Sequence, residues 1–214
     1  MNFTDLDAVF FDFDGVILDS TKIKTKAFQT MYHSFGDDVV NKVTEHHLTQ
    51  GGISRVEKIK TYHEQFLGIQ LNEDDLLKLT TEFSDSVKGL VVNSNWIPGA
   101  KAYLDKWHKT IPLFVVSGTP EVELHEIVKR RGMDFYFKET LGSPTKKPIH
   151  VNSVLNKEGY DRKNCVFVGD ALTDLNAANE TGLNFIGIQG EITFPSGTMV
   201  LPNCIELEKA ISSI

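Results

Sequence analysis

Cysteine is scarce in this chain: Cys165 and Cys204 are the only two among 214 residues. Two thiols make no disulfide framework, and their spacing matches no zinc motif. Both are expected as reduced thiols of a cytoplasmic protein. Positive charge is also in short supply, with 22 Lys and Arg against 29 Asp and Glu, a net charge of −7. Without an extended basic run, the chain is no candidate for phosphate-driven nucleic-acid binding or for a polybasic membrane patch. No apolar run approaches the roughly 20 residues of a membrane span. The opening Met1-Asn2-Phe3-Thr4-Asp5 has no basic stretch ahead of an apolar one, so no secretory leader is expected. Neither Gly-x-x-x-x-Gly-Lys-Ser/Thr nor Gly-x-Gly-x-x-Gly occurs, which argues against a nucleotide-dependent kinase. What remains is an ordinary globular composition, 41% hydrophobic and 24% charged, in a chain long enough to bury a core without staples.

Short apolar runs punctuate the sequence. Asp7 to Phe13, Ile111 to Val116, Cys165 to Val168 and Phe185 to Ile188 read as buried strands, and Phe135 to Phe137 as a short fifth. Helical patterns lie between them at Pro120 to Arg131, Pro148 to Glu158 and Thr173 to Thr181. This alternation predicts an α/β fold: a Rossmann-like, doubly wound parallel sheet with helices on both faces and ligands at the carboxyl ends of its strands.

The stretch from Leu18 to Asn95 interrupts that rhythm with helical patterns alone. Ser20 is placed to cap a helix bearing Ile23, Ala27, Met31 and Phe35, which Gly36 stops. Ser54-Arg55-Val56-Glu57 reads as a capping box ahead of Ile59, His63, Phe66 and Gly68, and Asn72 opens a third helix through Leu76, Leu79, Phe83 and Val87. Residues 18–95 are therefore expected to form a small all-helical cap inserted after the first strand. Residues 1–17 and 96–214 would make the catalytic core, with Trp96 packing at the return.

Four features carry chemistry. Asp12-Phe13-Asp14-Gly15 places two carboxylates on one side of an extended segment where an apolar strand ends; a solvated strand-to-loop turn has the same composition. Gly169-Asp170-Ala171-Leu172-Thr173-Asp174 repeats the arrangement, and alone it is equally a helix cap with a dipole acid. Together, four carboxylates at neighbouring strand ends repel one another and call for a hard divalent cation. Mg²⁺ suits oxygen ligands and leaves positions for a substrate phosphate. Val116-Ser117-Gly118-Thr119-Pro120 is an anion cradle or a plain cap. Lys146-Lys147-Pro148 offers a point cation or a solvated loop lysine.

In this order the four pieces resemble the haloacid dehalogenase-like hydrolase superfamily. The helical insertion is similar to the cap of its β-phosphoglucomutase and phosphoglycolate phosphatase branch. The resemblance implies Asp12 as nucleophile and Asp14 as general acid/base. It implies Ser117 and Gly118 as phosphoryl ligands and Lys147, the lysine directly before proline, as charge neutraliser. Mg²⁺ would be held by Asp12, Asp14 (through its backbone carbonyl) and Asp170, with Asp174 as an accessory ligand or an acid supporting the ligands from behind. Asp14 separates this chain from the dehalogenases and phosphonate hydrolases, which lack that acid. The implied activity is a Mg²⁺-dependent phosphatase acting on a small phosphorylated metabolite, a sugar phosphate among the candidates.

The alternative within the family is a phosphomutase. Gly52-Ile53-Ser54-Arg55 resembles the mutase motif whose arginine grips a distal phosphate, so Arg55 is a candidate substrate ligand. Against the mutase, Lys24 and Pro120 stand where it carries histidine and lysine. A phospho-accepting signalling module is a further alternative, but such modules are too short to hold a cap of this size. The full set of acids with Ser117 and Lys147 argues against a dead scaffold.

Overall fold

In the computed structural model, which describes residues 5–214, the chain is organised by four apolar residues. The segment read above for a leader lies largely outside the described residues. β1 (Ala8–Phe11) is buried on both faces, as only a central strand can be. It pairs in parallel with β2 (Leu113–Pro120) on one side, Val9 opposite Leu113, and with β4 (Cys165–Gly169) on the other, Val9 opposite Val166. The sheet has the order β3-β2-β1-β4-β5-β6, all parallel, where β3 is Glu139–Ser143, β5 Asn184–Ile188 and β6 Val200–Leu201.

Alternate side chains leave by opposite faces. Ala8, Phe10, Phe114, Val116 and Phe167 pack with Val151, Leu155 and Ala178 from α7 (Lys147–Glu158) and α8 (Leu172–Thr181). Val9, Phe11, Val115, Val166 and Val168 pack on the other face. They meet Leu104, Leu124, Ile127 and Leu207 from α5 (Ala100–Trp107), α6 (Glu121–Arg130) and α9 (Leu207–Ser212). The sheet is doubly wound, and its winding direction reverses between β1 and β4. That switch point is where a parallel sheet opens a crevice beyond its carboxyl ends.

Four α-helices follow β1 before the chain returns to α5: α1 (Thr21–Tyr32), α2 (Asp37–Thr49), α3 (Arg55–Thr61), which runs on as a π-helix over Tyr62–Leu67, and α4 (Glu73–Val92). Phe28, Tyr32, Val43, Ile59, Phe83 and Val87 form their shared apolar interior, which runs on into the core beneath. Trp96 packs at the return, with the Arg131 guanidinium 5.1 Å above its ring.

The structure corrects several local expectations. Phe135 to Phe137 is no strand: Asp134–Tyr136 is a short 3₁₀ turn, and the edge strand follows at Glu139–Ser143, too polar to stand out as a buried run. On α1, Ile23, Ala27 and Met31 of the expected stripe pack partly buried against the core, the fully buried side chains are Phe28 and Tyr32 one position on, and Phe35 is exposed. Ser20 precedes α1 but makes no cap bond; its hydroxyl turns to Asp14. Ser54 and Asn72 do cap, accepting from the amides of Glu57 and Asp75. Cys165 and Cys204 are buried free thiols. Among the described residues no helix is long and apolar enough to cross a membrane.

Candidate active site

The crevice at the switch point is lined by carboxylates because both central strands end in aspartate. Pairing of β1 with β4 runs one residue past the strand, the Asp12 amide donating to the Val168 carbonyl at 2.9 Å. Asp12 is thereby fixed at the sheet's edge, 4% exposed. Asp170 follows β4, and Asp174 sits in the first turn of α8, fully buried. Oxygens from Asp12, Asp170 and Asp174 lie within 4.8 Å of one another. The loop after β1 passes over Asp170 at Gly15, whose φ is +80° and where a Cβ would stand 2.1 Å from Asp170 Oδ2. Only glycine satisfies both conditions.

Lys147 is the counterweight. Delivered by the N-terminus of α7, it is 2.9 Å from Asp12 Oδ1 and donates to Asp174 Oδ1 at 2.6 Å. The other Asp174 oxygen accepts from the Ala171 amide at 3.1 Å. Asp174 thus holds Lys147 and the start of α8 in place. Burial pushes the Asp12 carboxyl up to about 7, against the pull of Lys147 and with help from the Asp174 and Asp14 charges. Asp170 is raised well above the ordinary carboxylate value by burial and then by Asp12 and Asp174. Burial alone would lower Lys147, but Asp12 and Asp174 override it and hold the ammonium charged. Two carboxyls with such raised proton affinity, side by side, form a site short of positive charge. Such a donor set suits a hard divalent cation.

Asp14 is in a different state. Ser20 Oγ donates to its Oδ1 at 2.5 Å, and Thr119 Oγ1 to its Oδ2 at 3.0 Å. Lys24 pairs with the same Oδ2 and also donates to Thr119 Oγ1 at 2.8 Å. Burial raises this carboxyl, but the Lys24 charge and the three hydrogen bonds outweigh it and hold Asp14 below the usual value. Two aspartates two residues apart are therefore driven in opposite directions, Asp12 up and Asp14 down.

Ser117 and Gly118 end the regular part of β2 beside these acids. Ser117 is buried, and its Oγ accepts from the Thr119 amide at 3.1 Å. Gly118 lies under the insert: a Cβ there would stand 2.4 Å from the Gly52 carbonyl oxygen. The insert also touches α8, where Thr173 Oγ1 donates to the Gly51 carbonyl at 2.7 Å. The loop at Gly51 and Gly52 therefore roofs a cavity of about 100 Å³, partly open to solvent, with Asp12, Asp14 and Asp170 in its wall.

Of the site residues singled out from sequence, Asp12, Asp14, Ser117, Gly118, Lys147, Asp170 and Asp174 come together. Arg55 also reaches the cavity wall, but its guanidinium is occupied. It donates to both oxygens of Glu123 on α6, at 2.8 and 2.5 Å, and to Ser84 Oγ at 2.6 Å, and lies 4.8 Å from the Phe83 ring centre. Both members of the ion pair are 5% exposed. The wall contains three basic residues that sequence reasoning did not assign, Lys24, His47 and Lys58, and an acid, Glu191. Lys24 stands out in the sequence only as a departure from the mutase pattern. No local signal marks Lys58, which sits within a helical run.

The comparisons agree with this geometry. A model of the haloacid dehalogenase-like hydrolase family matches residues 9–188. A phosphoglycolate phosphatase from Neisseria meningitidis is 30% identical over 207 residues, covering 92% of this chain and 84% of its own. One from Aliivibrio fischeri is 25% identical over 190 residues, covering 84% and 82%. Among solved structures, a β-phosphoglucomutase from Clostridium difficile superposes with a TM-score of 0.79 at 20% identity, covering 97% of this chain and 96% of its own. CbbY from Rhodobacter sphaeroides, in complex with phosphate, superposes at 0.75 with 19% identity, covering 98% and 100%. At those identities the structures speak for the fold alone.

Proposed function

The chain belongs to the haloacid dehalogenase-like hydrolase family and is an enzyme of its phosphatase kind; from that premise we propose that it is a Mg²⁺-dependent phosphomonoesterase. Its substrate would be a small phosphorylated metabolite, cleaved through an aspartyl-phosphate on Asp12. The observation that carries the proposal is geometric: Asp12, Asp14, Ser117, Lys147 and Asp170 converge at one strand-end crevice, with Lys147 2.9 Å from Asp12 Oδ1 and oxygens of Asp12, Asp170 and Asp174 within 4.8 Å of one another.

Asp12 and Asp170, with the Asp14 backbone carbonyl, would hold Mg²⁺, and Asp174 would support them through Lys147. When bound, the ion would neutralise the charge that gathers on the transferring phosphoryl group. The chain's own groups account for the remainder. Lys147 screens the charge between phosphate and nucleophile. Ser117 and the amides that follow it cradle the phosphoryl oxygens. The Asp12 carboxylate attacks phosphorus and the ester oxygen departs with a proton that Asp14, ionised in the free enzyme, takes up from the substrate's monoanionic phosphate. Asp14, ionised again, takes a proton from the water that opens the acyl phosphate. The Gly51–Gly52 roof keeps other water out of the first step.

The occupied state of Arg55 favours a phosphatase over a mutase. A mutase must grip a distal phosphate to return the phosphoryl group. Here the arginine suited to that task is tied to Glu123. The test is a phosphate-release screen across metabolite phosphates with Mg²⁺ and with chelator. Phosphate release from at least one of them, abolished by chelator, is expected. Glucose 1-phosphate with a bisphosphate activator should give no glucose 6-phosphate; rapid formation of it would overturn the phosphatase reading.

A further inference from the structure

The insert joins the core by two linkers, and the linkers hold each other. The Asp19 amide donates to the Asn95 carbonyl at 2.9 Å and the Ile97 amide to the Ile17 carbonyl at 3.0 Å, which sets Leu18 antiparallel to Trp96. The outgoing linker also folds back beneath Asp14. Gly15 donates to the Leu18 carbonyl at 2.7 Å, and the Ile17 and Leu18 amides donate to the Phe13 carbonyl at 3.0 and 3.1 Å. Asp14 therefore stands on a turn whose outer edge is the return linker. From that turn rises α1, and with it Ser20 and Lys24, the two residues of the insert that bind the Asp14 carboxylate.

The return linker is fastened in turn by Arg131, at the C-terminal end of α6 in the core. Its guanidinium donates to the Val92 carbonyl at 2.5 Å and to the Ser94 carbonyl at 2.8 Å, and it lies over the Trp96 ring. Val92 ends α4, where helical carbonyls lose their own partners. Trp96 also meets Tyr136 edge-on, 6.4 Å between ring centres. Among the described residues no carboxylate pairs with Arg131, and its Nε has no acceptor. A planar cation spent on two backbone carbonyls and an indole face serves to fix that backbone. The other ties of α6 to the insert, Glu123 with Arg55 and Glu126 with Lys88, grip the body of the insert. Arg131 grips the segment that is bonded to the Asp14 turn.

We propose that Arg131 is a positioning residue for Asp14. It lies outside the wall of the cavity and touches none of the reacting groups. It fixes the return linker, the return linker fixes residues 17–19, and those residues set where Asp14, Ser20 and Lys24 stand. The inference rests on the phosphatase reading for what Asp14 does. A catalytic group misplaced by about 1 Å can lose about a hundredfold in rate, even when the change that moves it is distant.

The test asks whether a change at Arg131 is felt through Asp14. Arg131→Met keeps much of the side chain's bulk and removes its donors. With Mg²⁺, kcat/KM for phenyl phosphate should fall by about ten- to a hundredfold. For 4-nitrophenyl phosphate, whose leaving group needs little help from a proton, it should fall by no more than about threefold. In an Asp14→Asn background the same substitution should cost less than about threefold on phenyl phosphate, because the residue it acts through is already disabled. Arg131→Gln replaces Arg131→Met should the latter fail to melt cooperatively. Wild-type rates, an equal loss on both esters, or a loss undiminished by Asp14→Asn would overturn the proposal while leaving the phosphatase reading intact. Hydrogen exchange gives a readout that does not depend on turnover. In Arg131→Met the amides of Gly15, Leu18 and Asp19 should exchange faster by about tenfold or more, with those of α3 unchanged. Loosening confined to residues 92–97 would overturn the proposal. If wild type hydrolyses no phosphomonoester, the phosphatase reading fails, and the exchange experiment alone decides whether Arg131 holds the Asp14 turn.

Discussion

Cutting the Arg55–Glu123 pair distinguishes a clamp between insert and core from a substrate ligand. Glu123→Ala leaves a guanidinium that cannot shed its proton in a site 5% exposed. Removing one partner of a buried pair typically costs about 3–5 kcal/mol, a large share of a domain's total stability. Arg55→Met leaves the Glu123 carboxylate stranded instead, and also removes the bond to Ser84 and the contact over Phe83. Replacing both, as Arg55→Met with Glu123→Leu, should recover most of the loss, since apolar pairs of similar volume often match a buried ion pair. Urea unfolding of the four proteins gives the cycle, with an expected coupling of about 2 kcal/mol or more. If the insert opens before the core melts, the same loss appears in hydrogen exchange, as reduced protection of α3 amides in both single variants and its return in the double. Kinetics supply the second half of the test. A clamp predicts that the single variants at positions 55 and 123 raise KM together. A substrate ligand predicts that Arg55→Met alone raises it while Glu123→Ala does not. Single variants within about 0.5 kcal/mol of wild type, with a KM defect confined to Arg55→Met, would refute the clamp.

Asp12→Asn should lose on the order of 10³-fold or more in kcat, and Asp14→Asn about 10²–10⁴-fold, the latter more severely for poor leaving groups than for nitrophenyl phosphate; near-wild-type turnover of an alkyl phosphate by either would reassign that residue. Asp170→Asn should raise the Mg²⁺ concentration for half-maximal activity, and an unchanged Mg²⁺ dependence would move the ion elsewhere. In chelator, the stability of wild type minus that of Asp12→Asn should fall by up to a few kcal/mol from pH 5 to pH 8. The raised Asp12 carboxyl, at about 7 when folded and near 4 when unfolded, favours the folded chain only while it is protonated; the opposing contributions of His47 and Lys58, both pushed below their ordinary values by burial, are common to both proteins, and a difference that is flat or rising would contradict the shift. Gly52→Ala places a Cβ 2.0 Å from Thr173 Oγ1 at a φ of +76° and should cut kcat/KM at least tenfold by holding the roof open, whereas Gly68→Ala, at +68° with nothing within 4 Å, should cost about 1 kcal/mol of stability and leave kcat/KM alone; equal kinetic effects at the two positions would sink the roof argument.

What was legible in the sequence was whatever the chain states locally. A strand buried on both faces must be apolar throughout, so β1, β2 and β4 announce themselves, and the acids that end them are conspicuous by contrast. Asp12, Asp14, Asp170 and Asp174 were readable for that reason. The edge strand Glu139–Ser143 was not, because a strand with only part of its length buried need not be apolar. Ser20 was read as a cap because it precedes a helix, and only the fold reveals Asp14 as its partner. Arg55 and Lys58 show the same limit more sharply. They are three residues apart on one helix, both buried, both facing one cavity. Sequence nominated the first and passed over the second. The difference lies 68 residues away in Glu123, which pairs with Arg55 and leaves Lys58 without an acid among the described residues.

That exchange of partners bears on how one architecture serves different substrates. The floor of the cavity is set by strand ends, which the sheet register fixes. Its roof is set by side chains from α1, α2 and α3, whose charges are settled by pairing rather than by position. Lys24 turns down to Asp14 and Thr119, Arg55 turns sideways to α6, and Lys58 is left facing the cavity with a neutral histidine behind it. Each pairing subtracts one cation from those that a substrate can meet. A single change at Glu123 would return a guanidinium to the wall, and a single change at Lys58 would remove the remaining unpaired ammonium, with no strand displaced in either case. The groups proposed for phosphoryl transfer are thus anchored by the sheet, whereas the cations of the insert are set by pairings that can change without moving a strand.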